Sequence, residues 1–571
     1  MFRNPKLSFL IYFISLLVLA NPATAQIPSV PPNTPEPVLP DSPNSPDSEL
    51  LPPPDELLQP NQNPQTPNLP NPEDIPGEIQ VKSFEVIGSS VFSQEEFDEL
   101  LKEFTTKPIS FAELLRTKDK VTEYYFEQGY ITSGAFIPPQ ELTDGVVKIQ
   151  VVEGKVDEIV IEGLQRLKPS YIRSRIEIGS KTPLNQNDLF EALQLLQLDP
   201  RIATLGVELA AGSRPGVSIL RVEIKEGDPL SGQLTLDNQR SPSVGTFRRR
   251  IQASHNNLLG YGDTLSIGYT NTDGSNALDD FNYIFPINPR NGTVSFRHSR
   301  TRTNIIEEPF DILDIQSKSL GYELTYRQPL RQTPTKEFAI GLTASRQESA
   351  TTLLDIPFPL TEGADNDGEL KISALRFFQE YTSRSNQEVL ALRSQFNFGV
   401  GLLNSTINQD PPDSTFFSWR GQAQYLRLLS PDVILLLRGD LQLSSQPLVS
   451  LEQFSIGGVS TVRGYRQDSL LSDNGLFASA EVRFPILRIP NWETNLQLAP
   501  FVDFGSVWNN RNSASTLETS TLSSVGLGLR LGVGDDFSAQ LDWGIPLVDL
   551  SSSGDSLQEN GIYFSINYQL F

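Results

Sequence analysis

Val389-Leu-Ala-Leu-Arg-Ser-Gln-Phe-Asn-Phe398 and Ser523-Ser-Val-Gly-Leu-Gly-Leu-Arg-Leu531 decide the fold. In the first, Leu390, Leu392, Phe396 and Phe398 share one parity, and Arg393, Gln395 and Asn397 share the other. In the second, Val525, Leu527, Leu529 and Leu531 alternate with Ser524, Gly526, Gly528 and Arg530. Successive side chains of a strand point to opposite faces. Strict alternation over about ten residues is therefore the pattern of a strand with one face to lipid and the other to a polar lumen. Asp263–Thr270, Gly292–His298 and Leu320–Tyr326 repeat it.

Outward from these stretches, about sixteen such segments fill the chain from about residue 229 to 571, an even number as in single-chain outer-membrane barrels. The links between them alternate in length. Asn257–Gly262, Ile287–Arg290, Thr382–Asn386 and Leu487–Trp492 are short, while Thr301–Ile315, Gln347–Asp367, Leu402–Ser414, Ser444–Asp473, Gly505–Thr521 and Pro546–Asn560 are long. Short turns on one side and long loops on the other mark an outer-membrane barrel; a soluble β-sandwich predicts no such two-sidedness. Ile562, Phe564, Ile566, Tyr568 and Leu570 share a face of the last strand, which leaves the terminal Phe571 on the opposite parity.

Composition agrees with a membrane barrel and excludes other classes. The net charge of −24 argues against a nucleic-acid partner, which needs a basic surface. With no cysteine there are no disulfides or thiolate metal sites, and His255 and His298 are the only histidines. Both lie in or beside strand-like sequence and read as polar barrel or rim side chains. No phosphate loop, metal-ligand spacing or triad is visible, so no catalytic residue, cofactor or metal is expected.

The N-terminus reads as a secretory signal over residues 1–25: Arg3 and Lys6, an apolar run from Leu7 to Ala20, then Ala23-Thr-Ala25. The apolar run is short for a membrane span, which needs roughly 20 residues. Residues 26–77 are rich in Pro, Asn, Asp and Ser, as in Pro52-Pro-Pro54, and read as a semi-stiff, disordered linker.

Two similar α+β units follow, over 78–154 and 155–228, each ordered strand, helix, helix, strand, strand. In the first, Ser93 and Glu96 form a capping box at a helix start. The units end in the same phrase, Val151-Val-Glu-Gly154 and Ile224-Lys-Glu-Gly227, which signals an internal duplication.

These units resemble POTRA domains. Tyr125-Phe-Glu-Gln-Gly-Tyr130, Pro138-Pro-Gln-Glu-Leu142 and Asp144–Gly154 are similar to the first POTRA unit of two-partner secretion transporters of the haemolysin secretion/activation type. Leu236-Asp-Asn-Gln-Arg240 and Asn257–Asp263 look like the opening barrel strands of the same family. The longest link, in the sixth outward slot, contains Val462-Arg463-Gly464-Tyr465, which resembles the Val-Arg-Gly-Tyr/Phe motif of the superfamily's sixth surface loop. The resemblance implies a loop folded back into the lumen. Phe501-Val-Asp503-Phe-Gly505 resembles the matching strand motif, and Ala480-Glu481-Val-Arg-Phe484 supplies a second acid. On this basis Arg463 is assigned to Asp503 first and Glu481 second, with Gly464 serving a tight turn and Gly505 a close backbone approach. A guanidinium inside a barrel must be paired or hydrated, and its planar fork suits a carboxylate.

The resemblance implies an outer-membrane transporter with periplasmic POTRA domains, working as a monomer in outer-membrane lipid on an unfolded exoprotein. A barrel-assembly insertase of the same superfamily is the alternative, and a solute pore or receptor a more distant one.

Overall fold

The computed structural model describes residues 78–571 apart from Thr143, 511–519 and 551–553. The signal and the proline-rich segment lie outside the described residues.

The arm is built from two three-stranded sheets. In the first, Val146–Val152 is central, parallel to Ser83–Ile87 and antiparallel to Gly134–Phe136. Its period-two pattern buries Val147, Ile149 and Val151 and leaves Lys148 exposed. Against that face lies the helix Phe111–Glu127, burying Leu114, Thr117, Val121 and Tyr125, one per turn as a 3.6-residue period requires. The Ser93–Glu96 capping box is present at Gln94–Leu101, and Ser110 with Glu113 forms a second at Phe111–Glu127. The second unit repeats the sheet with Val217–Glu226 central between Lys155–Glu162 and Ile202–Ala211. Each unit has its own apolar cluster, around Val81, Phe97 and Ile149 and around Ile172, Leu189 and Leu220. Each fully buried aliphatic side chain contributes ~1.5–3 kcal/mol relative to exposure.

The repeated phrase has a shared structural task. Glu153 accepts the Ser90 N–H at 2.6 Å, and Glu226 accepts the N–H groups of Gln165, Arg166 and Leu167 at 2.7, 2.8 and 2.9 Å. In both units a carboxylate at the end of the central strand satisfies the turn that follows the first strand.

Sixteen long antiparallel strands close into a barrel, with the two-residue strand Ile356–Pro357 as an addition in an outward link. Closure is made by the first strand, Leu230–Asp237, pairing with the sixteenth, Ile562–Gln569, over five register pairs from Ser565↔Asp237 to Gln569↔Gln233. Leu392, Phe398, Phe504 and Trp543 point outward and are exposed, while Arg393, Asp503 and Asp542 have the inward parity of their strands. The inner end of the barrel is fixed by the arm. Lys168 N–H donates to the Gly260 carbonyl at 2.9 Å, and Arg175 donates to Asn291 Oδ1 at 3.1 and 3.2 Å. Those turns, after the second and fourth strands, are two of the short links.

Three sequence expectations are adjusted. Strand seven, Lys336–Leu353, continues well into the stretch read as a link from Gln347: Gln347-Glu-Ser-Ala-Thr-Thr352 is polar or small on both faces, so the apolar alternation ends before the strand does. The second outward link, not among the six long links read from sequence, is a tight turn closed by the Thr272 N–H to the Ser275 carbonyl at 2.8 Å, an exception to the long loops of that side. The parity argument does not reach Phe571, because the regular register ends at Gln569: beyond it the Leu570 N–H donates to the Gly232 carbonyl at 2.7 Å and the Gly232 N–H to the Phe571 carbonyl at 3.2 Å. A Cβ built on Gly232 would lie 2.7 Å from the Phe571 ring, so the ring covers Gly232, which shares parity with the exposed Leu230 on the outer wall.

Candidate functional site

The link between the eleventh strand, Val433–Ser444, and the twelfth, Asn474–Ile489, enters the barrel. It begins with a turn at Ser450–Glu452 and forms a small hairpin from Phe454–Ile456 and Leu470–Ser472. Gly457 and Gly458 at its neck have φ of 109° and 94°, and Gly464 at its tip has φ of 100°. These left-handed values favour glycine. Space compels it as well: a Cβ on Gly464 would stand 3.2 Å from the Gly544 carbonyl of the fifteenth strand, Phe537–Pro546. Gly505 on the thirteenth strand, Thr494–Trp508, leaves room for Val462, which a Cβ there would meet at 2.8 Å.

Around this contact lies a buried apolar cluster of Phe454, Ile456, Val462, Tyr465, Phe477, Val507 and Leu522. The Tyr465 hydroxyl donates to the Ser523 carbonyl at 2.9 Å and accepts the Val548 N–H at 3.1 Å.

Arg463 is 2 % exposed. Its Nε and Nη2 donate to the two oxygens of Asp503 at 2.8 and 3.0 Å, and its backbone N–H donates to Asp503 at 3.1 Å. Nη1 donates to Glu481 at 2.6 Å and reaches Asp542 at 3.4 Å. The guanidinium carbon sits 3.3 Å from the Phe501 ring centroid, a cation–π arrangement. Arg530 bridges Asp542 and Glu481 at 2.8 and 3.2 Å, and Arg483 donates to Glu481 at 2.7 Å. Three guanidinium groups thus face three carboxylates. All of these sites except Arg463 are on the wall, so the loop contributes one cation to an otherwise net-negative set.

The structure brings Val462, Arg463, Gly464, Tyr465, Glu481, Asp503 and Gly505 into one place. Asp542, Arg530, Arg483 and Tyr563 belong there too and were not singled out from sequence. Tyr563 on the sixteenth strand accepts the Gly464 N–H at 3.0 Å and donates to the Tyr465 carbonyl. A single acid or tyrosine on the polar parity of strands 537–546 and 562–569 was the available signal, but nothing local connects it to the loop.

The two histidines take no part. His255 pairs with Leu230 and Leu265 in the second strand's ladders, and His298 Nδ1 lies 3.0 Å from the Gly321 carbonyl with its ring stacked on Tyr322.

The family model for haemolysin secretion/activation proteins of the ShlB/FhaC/HecB type matches residues 216–531, and a ShlB-type POTRA model matches 79–154. The chain belongs to the haemolysin secretion/activation family. It is an outer-membrane two-partner secretion transporter whose POTRA arm lies in the periplasm. Among similar proteins is the outer membrane transporter CdiB of Escherichia coli, 25% identical over 481 residues, which cover 82% of this chain and 79% of that protein. Another is the heme/hemopexin transporter HuxB of Haemophilus influenzae, 23% identical over 493 residues, covering 81% and 82%. Two solved structures share the fold. CdiB from Escherichia coli has a TM-score of 0.67 at 20% identity, covering 89% of this chain and 93% of that one. CdiB from Acinetobacter baumannii has 0.61 at 19%, covering 99% and 97%.

Proposed function

We propose that the chain exports one dedicated, unfolded exoprotein through its own lumen, and that the sixth outward loop is the gate. The observation that carries this reading is the buried Arg463, held inside the barrel by Asp503, Glu481 and Asp542. A loop with that much polar contact occupies the path a polypeptide would take, so the path opens when the loop withdraws. Breaking a buried ion pair by removing one partner is costly, which keeps the gate shut at rest.

In this reading the chain divides into a signal (1–25), a proline-rich linker (26–77), two POTRA units (78–154 and 155–228) and the barrel (229–571). It works as a monomer in outer-membrane lipid, performs no covalent chemistry and needs no cofactor. The exoprotein adds as a strand to an open sheet edge of the arm, where backbone hydrogen bonds give affinity and side-chain pockets selectivity. The outer edge of Ile202–Ala211, ten residues long, is the longest such edge in the arm. Folding of the exoprotein outside the cell supplies direction.

The test compares a deletion strain with its parent. Loss of one or a few large proteins from the medium, with other barrels in the membrane unchanged, is the expected result. A broad fall in other barrels would make the chain an insertase instead. In the complemented strain, Arg463→Ala should insert normally but lower export.

A further inference from the structure

The loop is tied to the wall at a second place outside its sequence motif, an inference that rests on the gating reading above. Glu452, in the turn at the loop's start, is 8 % exposed and meets Arg376 of the eighth strand, Glu369–Arg384. The contact is bidentate: Nη1 to Oε2 at 2.9 Å and Nη2 to Oε1 at 2.6 Å. Three further strands hold the pair, the seventh through Ser345, which accepts from Arg376 Nε at 3.3 Å. Arg376 Nη1 donates to Asn397 of the ninth strand, Glu388–Val400, at 3.1 Å, and Gln442 of the eleventh donates to the Glu452 carbonyl at 2.9 Å.

Arg463 is anchored elsewhere, on strands twelve, thirteen and fifteen. The two anchors therefore fix the loop to different parts of the wall. Their polarity is opposite as well: the loop gives a carboxylate to one part and a guanidinium to the other. Apart from Glu452, the hydrogen-bond partners of Arg376 are the neutral groups of Asn397 and Ser345. Glu323 of the sixth strand acts on Arg376 through its charge without a hydrogen bond, so withdrawing the loop leaves the guanidinium hydrogen-bonded to neutral groups only and without its directly paired carboxylate, which is disfavoured in a confined site. At the base the pair adds a charged tie to the apolar packing of Leu448, Val449 and Leu451 against Leu370, Ile372 and Phe416, while Arg466 ties the tip side to Glu307 and Glu559 of other outward links at 2.9 and 3.3 Å.

We propose that Glu452 and Arg376 form a second anchor of the gate, a positioning pair that acts with Arg463 to hold the sixth loop in the lumen.

The full chain contains no cysteine, so a single one introduced into it reports its own exposure. Ser450→Cys is suited to this, because Ser450 is buried and its hydroxyl has no hydrogen-bond partner among the described residues. Labelling by a membrane-impermeant maleimide on whole cells is measured in that background, with single-channel current of the purified protein in planar bilayers. Glu452→Gln leaves the barrel wall untouched and should raise the labelling rate and the frequency of opening by about tenfold or more. Arg376→Glu with Glu452→Arg should return both toward the parent. Unchanged labelling and current in Glu452→Gln, or no recovery in the exchanged pair, overturns the second anchor. Arg463→Ala separates the two ideas. If it raises opening while Glu452→Gln does not, only the second anchor fails; if neither does, the gating reading fails with it.

Discussion

At the scale of single residues, the proposed gate is a problem of satisfying one buried cation. Arg463 uses all three of its donor nitrogens and its backbone N–H on carboxylates. Lysine keeps the charge but loses the fork, so Arg463→Lys should recover only part of the export lost in Arg463→Ala. Tyr563 sets a smaller, separable contribution. Tyr563→Phe removes the acceptor of the Gly464 N–H and the donor to the Tyr465 carbonyl without changing charge. The loss should be about 1 kcal/mol, roughly a fivefold rise in spontaneous openings of the purified channel. An unchanged opening frequency would show that the loop tip is held by its ion pairs alone. Sequence made Arg463, Asp503 and Glu481 legible because each sits in a short local phrase. Asp542, Arg530 and Tyr563 are brought to the same point only by closure of the barrel, which no local pattern records.

At the scale of elements, strand phase is legible and strand length is not. The alternation that separates Leu392 from Arg393 reports which face meets lipid. Strand seven runs on to Leu353 by backbone pairing through Gln347–Thr352, where both faces are polar or small, so the end of the alternation does not mark the end of the strand. In the arm, the repeated Val-x-Glu-Gly-like endings were legible as a duplication, but the physical reason is the turn each glutamate satisfies. Burial would raise the Glu226 carboxyl, but three backbone N–H bonds outweigh it and hold the group below its ordinary value of 4.5. A carboxylate depressed in the folded state contributes stability that is fully present above 4.5 and lost as pH falls through its lower folded value. The second unit should therefore lose stability in acid in that window, read as loss of amide protection at Gln165–Leu167 in hydrogen exchange. Glu226→Gln should be less stable at neutral pH and should lose this part of the acid dependence. A variant with the parent's full pH profile would show that the turn is held by other contacts.

At the scale of the whole molecule, the question is whether the exported chain leaves along the lumen or sideways through the wall. The barrel closes on five regular register pairs between its first and last strands, against eight between the first and second, with further bonds beyond them from the Asn238 N–H to the Phe564 carbonyl and from the Leu570 N–H to the Gly232 carbonyl. A short seam is where a wall would part if it parted at all. Yet the loop that enters the barrel, and not the seam, carries the ion-pair cluster, and the proposed gate has a purpose only if cargo passes along the lumen. Thr235 and Asn567 face each other across the seam on the inward parity, with Thr235 Oγ1 donating to Asn567 Oδ1 at 2.8 Å. Directly opposed residues of an antiparallel pair have Cα atoms about 4.5–5.5 Å apart, within the range a disulfide spans. Thr235→Cys with Asn567→Cys should therefore oxidise in the outer membrane and lock the seam, with no native cysteine to interfere. A lumen route predicts undiminished export from the locked barrel, with and without reductant. An assembly factor that hands strands into the bilayer must open its wall, so locking would stop it and reductant would restore it. Because the cross-link leaves Arg463 and its carboxylates in place, a block by the lock would count against the lumen route itself, independently of how the sixth loop is held.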